Sequence, residues 1–117
     1  MMPPSAKFQI EIVDVPQGKL VRLKGDVAAE EADFLKSQLM PVLNKRPKLV
    51  VFDLTDLRFI ASAGLGTLAA IRRSLVSSGA KGRLAAIPEK LHEVMRLSGM
   101  TQLYAVFATV EQALAAP

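Results

Sequence analysis

Leu49-Val50-Val51-Phe52-Asp53-Leu54-Thr55-Asp56-Leu57-Arg58-Phe59-Ile60-Ala61-Ser62-Ala63-Gly64-Leu65-Gly66 is the stretch whose reading decides the fold. It opens on four consecutive apolar residues, the pattern of a strand covered on both faces in a parallel sheet. Asp53 to Leu57 is expected to carry that strand to the sheet edge. After Ile60 the side chains become small, and a helix is expected to run to about Ser78. Leu65, Leu68, Ile71 and Leu75 share one side of it, and Gly79 supplies the C-terminal stop.

Working outward, Phe8, Ile10 and Ile12 alternate with Gln9 and Glu11, the period of a half-buried strand. Pro16-Gln17-Gly18 reads as a turn, and Leu20 to Leu23 resumes the extended pattern, so the two segments predict an antiparallel pair ending at Gly25 and Asp26. From Ala28 the pattern turns helical: Ala32, Leu35, Leu39 and Leu43 recur on one face, with Glu30, Glu31 and Asp33 at the end where the helix dipole favours anions. Pro41 is expected to kink or weaken the last turns. Lys45-Arg46-Pro47 closes the element.

Beyond the central helix, Arg83 to Ile87 reads as a strand. Pro88 suits a first helical position, and Leu91, Val94, Met95 and Ser98 share a helix face that Gly99 ends. Tyr104 to Ala108 is a further short strand, and Thr109 with Gln112 has capping-box spacing for a last helix through Ala115. The order β-β-α-β-α-β-α-β-α predicts an α/β domain: a mixed central sheet of four to five strands with helices as crossovers. One domain is expected over residues 1–117, its core over about 8–115, with only the two ends frayed.

Composition narrows the chemistry. The chain has 117 residues, half of them hydrophobic and 22% charged, the make-up of one globular domain that buries roughly two-thirds of its unfolded surface. With no cysteine, disulfides, thiolate zinc sites and cysteine nucleophiles are excluded. His92 is the sole histidine, which excludes a two-histidine metal site within one chain; it is expected to be exposed and uncommitted. Aromatics at 5% are too few for a base-stacking platform. Met1 to Lys7 lacks the regions of a signal peptide, and no apolar run reaches the roughly 18 residues of a membrane span. A cytoplasmic protein is therefore expected, and no cofactor or metal.

Ser62 is the best candidate for chemistry. It stands where an apolar strand meets a helix, among Ala61, Ala63 and Gly64, and sites in open α/β sheets gather at the carboxyl ends of strands. The plainest role for Ser62 is an N-cap, its oxygen accepting from an amide two or three residues on. Phosphorylation is compatible with that role, because a phosphate would meet free helix amides and add about −1.5 to −2 charges to the surface. A serine-hydrolase elbow needs a small residue where Ile60 stands, and a general base that only His92 could supply. Asp53 and Asp56 lie near the same strand end, where hydrogen bonding to loop amides is a plainer role than binding a hard cation. No phosphate-binding glycine motif is present.

Charge is uneven. The formal net charge is +4, and from Arg58 to Met100 seven Lys or Arg face only Glu89 and Glu93, a net of +5. Solvated helix faces account for this most simply. An acidic protein partner comes second, and nucleic acid is not expected.

The central run resembles the STAS domain, and within it the anti-sigma factor antagonists. The similarity lies in the strand, the Asp53-Leu54-x-x-Leu57 segment and the Ser62-Ala63-Gly64-Leu65 core. It extends to Leu23-Lys24-Gly25-Asp26-Val27 before the first long helix and to Leu97-Ser98-Gly99-Met100. The resemblance implies a non-enzymatic module that binds an anti-sigma factor, itself a serine kinase, and is switched off when that kinase phosphorylates Ser62. A phosphatase resets it. The implied partner surface is Asp26, Asp53, Asp56, Ala61, Ala63, Gly64 and Leu65. Two departures stand out: Ala61 and Ala28 occupy places that are acidic in many members. Both favour an alternative, a phosphorylation-independent STAS scaffold in a signalling or lipid-transport assembly.

Overall fold

Alternation of apolar and polar residues produces the first hairpin. β1 (Phe8–Val15) and β2 (Gly18–Val27) pair antiparallel, with Ile12 opposite Val21 and Val15 opposite Gly18. The computed structural model describes residues 7–117, so the expectations about the first residues lie outside the described part. β2 does not stop at Gly25 and Asp26. A bulge there lets it continue to Val27 along a new partner. Gly25 makes the bulge possible: its φ is 100°, and a Cβ would stand 1.6 Å from the Lys7 carbonyl oxygen.

α1 (Ala29–Asn44) follows and buries Ala32, Leu35, Leu39 and Leu43. It runs on past Pro41. A helical proline costs about 3 kcal/mol, but burying Leu39 and Leu43 returns about 1.5–3 kcal/mol each, so packing holds the final turn.

β3 (Leu49–Asp53) is buried at every position and pairs parallel with β2 and with β5 (Lys81–Ala85). It ends at Asp53 rather than reaching Leu57. The Asp53 carboxylate accepts from the Thr55 N–H at 3.0 Å and the Thr55 hydroxyl at 2.6 Å, which turns the chain. A separate strand, β4 (Leu57–Ile60), then pairs with β2 beyond the end of β3, with Val27 opposite Ile60. Among the described residues the sheet therefore has six strands, ordered β1-β2-β3-β5-β6, where β6 is Ala105–Phe107, with β4 beside β2, one more than the upper expectation.

α2 (Ser62–Ser77) buries Leu68, Ile71 and Leu75. β5 starts earlier than expected and stops where Ala86 adopts φ 58°. Pro88 precedes a 3-10 turn at Glu89–Leu91 instead of entering a helix. α3 (His92–Leu97) and α4 (Met100–Leu103) are separated by Gly99 at φ 81°. β6 (Ala105–Phe107) is trimmed at both ends, and α5 (Val110–Ala115) is capped by Thr109, whose hydroxyl accepts the Gln112 N–H at 3.1 Å.

The main core lies between one sheet face and α1 to α4, centred on Phe52, Leu68 and Tyr104. The Tyr104 ring meets Phe52 edge-on at 5.9 Å, and its hydroxyl donates to the Leu68 carbonyl at 2.7 Å. On the opposite face, α5 covers a smaller cluster of Leu20, Leu49, Val51 and Ala85. The C-terminal end is not frayed: the Arg83 guanidinium donates to the carbonyls of Ala113, Ala116 and Pro117 at 2.6, 3.0 and 2.8 Å.

Candidate functional site

The site is built at the carboxyl ends of β2 and β4. These strands are in register at Val27 and Ile60, and the Ala61 N–H donates to the Val27 carbonyl at 2.8 Å. α1 therefore springs from the end of one strand and α2 from the end of its neighbour. The bond from Ala61 keeps the chain extended through that residue, whose ψ is 171°. Ser62 consequently becomes the first helical residue and Ala61 the cap, which corrects the expected capping role: no side chain caps α2. The Leu65 N–H is the first to reach a carbonyl, that of Ala61 at 3.1 Å. The amides of Ser62, Ala63 and Gly64 are left without a helical acceptor.

Ser62 and Ala63 are exposed, Ala61 and Leu65 half-buried, and Gly64 buried. Gly64 is a packing requirement. A Cβ there would come within 2.7 Å of Ile60 and 2.8 Å of Val27, so only glycine lets the first turn of α2 rest on the two strands. Asp26 lies opposite Phe59 and pairs with Arg58 through both carboxylate oxygens, at 3.2 and 3.1 Å.

Asp53 and Asp56 are not gathered with these residues. They line a separate groove of about 290 Å³ with Arg22 and Lys24, on the sheet face away from α1 and α2. Asp53, 9% exposed, is engaged by Thr55 and by Arg22 Nε at 3.4 Å, the hydrogen-bonding role its position suggested. Asp56 is exposed, and its carbonyl accepts the Gly25 N–H at 3.0 Å.

His92 is exposed yet engaged, its Nε2 donating to the Ile87 carbonyl at 2.9 Å. Phe59, 50% exposed, escaped notice in the sequence. Its signal was its place: with Leu57 and Ile60 turned inward, Arg58 and Phe59 have to face out.

The STAS domain family matches residues 9–113. The chain belongs to that family. Among its relatives is BtrV of Bordetella bronchiseptica, which bears the name of an anti-sigma factor antagonist. It is 30% identical over 105 residues, 89% of this chain and 90% of that protein. An anti-sigma factor antagonist from Mycobacterium paratuberculosis has a similar structure: TM-score 0.83, 22% identity, 92% and 91% of the two chains covered. The Bacillus cell fate determinant SpoIIAA in its phosphorylated form gives a TM-score of 0.70 at 20% identity, covering 92% and 96%. The STAS fold is not confined to such proteins. A sulfate transporter family protein from Wolinella succinogenes gives 0.72 at 22% identity, covering 82% and 80%.

Ala28 and Ala61, the two alanines singled out in the sequence of this STAS domain, are both helix caps. Ala61 caps α2, and Ala28 caps α1. At Ala28 the backbone N–H donates to Glu31 Oε1 at 3.1 Å, so Glu31 supplies half of a capping box while alanine cannot return the other half. Among the described residues no cluster of three or more His, Cys, Asp or Glu is arranged to hold a metal ion. No helix there is long and apolar enough to cross a membrane.

Proposed function

We propose that this STAS domain is a non-enzymatic binding module of the anti-sigma factor antagonist type, switched at Ser62. In its free form it binds an anti-sigma factor that is also a serine kinase. That kinase transfers phosphate: Ser62 Oγ attacks the γ-phosphorus of ATP, loses its proton and leaves ADP as the second product. A phosphatase resets the chain. The names borne by BtrV and SpoIIAA support this reading.

The observation that carries the proposal is the Ser62 hydroxyl itself. It is exposed at the first position of α2, with no side-chain hydrogen bond to cap that helix and three amides beside it that lack helical acceptors. A phosphate is tolerated by the domain there, because amides and the dipole receive it. The partner feels it differently: about −1.5 to −2 charges enter a packed interface, and about 3 kcal/mol weakens binding more than a hundredfold. The contact surface is Ala61, Ser62, Ala63 and Leu65, flanked by Phe59 and the Asp26–Arg58 pair. Gly64 holds its shape, whereas Asp53 and Asp56 stand apart from it in their own groove on the other sheet face.

The chain incubated with its cognate kinase and ATP should gain one phosphate by mass spectrometry, and Ser62→Ala should gain none. Ser62→Asp should weaken kinase binding while leaving the melting temperature nearly unchanged. Phosphate on another residue, or none with a kinase that demonstrably binds, overturns the switch. Ala28 and Ala61 favour a second reading, the scaffold, which a stable complex indifferent to phosphorylation would select.

A further inference from the structure

We propose that the C-terminal halves of α1 and α2 form a second docking surface, which receives an acidic amphipathic segment of a protein partner. The two helices leave between them an open groove of about 740 Å³. Its floor is apolar: Ile71 and Leu43 are nearly buried, and Met40 is 40% exposed, an adaptable side chain of the kind found on peptide-binding surfaces. Its rim is cationic. Lys36, Arg46 and Arg73 line it, and no acidic residue does.

Surface cations fall into paired and unpaired groups, and among the described residues these three share the unpaired one with Lys24, Lys45, Lys48 and Lys90. Arg22, Arg58 and Arg96 each hold a carboxylate at 3.1 Å or less. Among the described residues none of the groove cations has such a partner. Arg46 adds a second sign. Its φ is 54°, just past the end of α1, where glycine is the residue that fits; the sequence puts a guanidinium there instead. The carbonyl ends of both helices also lie here, and their dipoles disfavour an anion. A bound acid therefore has to be held by the three side chains.

The shape selects the occupant. The groove is open along its length, so a small molecule would leave much of its surface in water, unlike the ligands of enclosed pockets. Its walls follow two helix axes over about two turns, the span a docked helix fills with anchors at i, i+3, i+4 and i+7. Apolar anchors meet the floor and flanking acids meet the rim. The surface is distinct from the one at Ser62, since Arg73 stands about 16 Å farther along α2. One partner here and another at Ser62 can be bound together.

The test uses the full isotope-labelled chain and an 18-residue peptide with Leu at the anchor positions and Glu beside them. Its control has Gln for Glu. The Glu peptide should shift amide resonances of residues 36–46 and 70–78, and the Gln peptide should bind about tenfold more weakly. Lys36→Gln with Arg73→Gln should cost a similar factor, whereas Ser62→Asp should change affinity less than about twofold. Arg46→Gly should weaken binding severalfold while the melting temperature holds or rises, which separates docking from stability. Equal binding of the two peptides, shifts outside the groove, or no shifts at millimolar peptide would overturn the proposal. So would groove shifts caused only by phosphatidylserine vesicles or by single-stranded RNA, which would reassign the surface to a membrane or a nucleic acid.

Discussion

An alanine caps α2 immediately before Ser62, and an alanine caps α1 as well. Neither offers an oxygen to the amides it precedes, and a missing cap of this kind costs about 0.5–2 kcal/mol. Ala61→Asp should therefore stabilise the fold by about 1 kcal/mol, since the backbone at Ala61 is already extended. For a domain of this size that raises the melting temperature by about 4 °C in a thermal scan. A loss of stability would mean that the half-buried Ala61 site has no room for a carboxylate. The sequence singled out Ser62 at the junction of strand and helix and misjudged its local role as the cap. Serine ranks among the best caps, but the bond from Ala61 to Val27 holds the strand one residue longer than propensity alone would. That bond joins residues far apart in the chain, and no local window contains it.

Among the elements, α5 shows how a short helix depends on its neighbours. Six residues are too few for a helix to stand alone in water. Arg83, 5% exposed, answers this from the sheet: its guanidinium meets the carbonyl end of α5 and lies 5.6 Å from the centre of the Phe107 ring. A cation at that end also complements the helix dipole. Arg83→Met should cost about 2–3 kcal/mol in denaturant unfolding. Amides of residues 113–116 should exchange much faster with solvent while those of α2 keep their protection. In the sequence Arg83 shows only as one of seven cations and as the first residue of a strand. α1 and β3 were legible because each repeats its signal over several residues. β4 was not, because Leu57-Arg58-Phe59-Ile60 is neither an alternating pattern nor a continuous run; inward residues at its two ends fit no simple period. α4 was hidden in the same way, a single turn after a glycine that had already closed a helix.

Across the whole molecule, Tyr104 ties α4, α2 and the sheet together, and it is the only tyrosine. Burial pushes its phenol well above the ordinary value. The sign follows from linkage: below about pH 10 the phenol is neutral in both states and stability is unaffected. Above that, the unfolded chain ionises while the folded one cannot, so stability falls as pH rises. The native protein should show no tyrosinate absorbance at pH 11 until it unfolds. Tyr104→Phe should cost about 0.5–1.5 kcal/mol at neutral pH through the lost bond to Leu68, and should flatten the alkaline decline. A phenolate signal from the folded chain would show that water reaches the ring.

The β1–β2 hairpin bears on the time the chain needs to fold. It is the one antiparallel pair among the described strands, and a hairpin closes in about 1–10 μs. Every other partner of β2 lies beyond a helical crossover, a longer loop whose closure is slower and costs more entropy. One edge of β2 can thus be occupied early, while the other waits for Leu49–Asp53 and then Leu57–Ile60 to arrive. The residues that frame Ser62 come into register only with that later event.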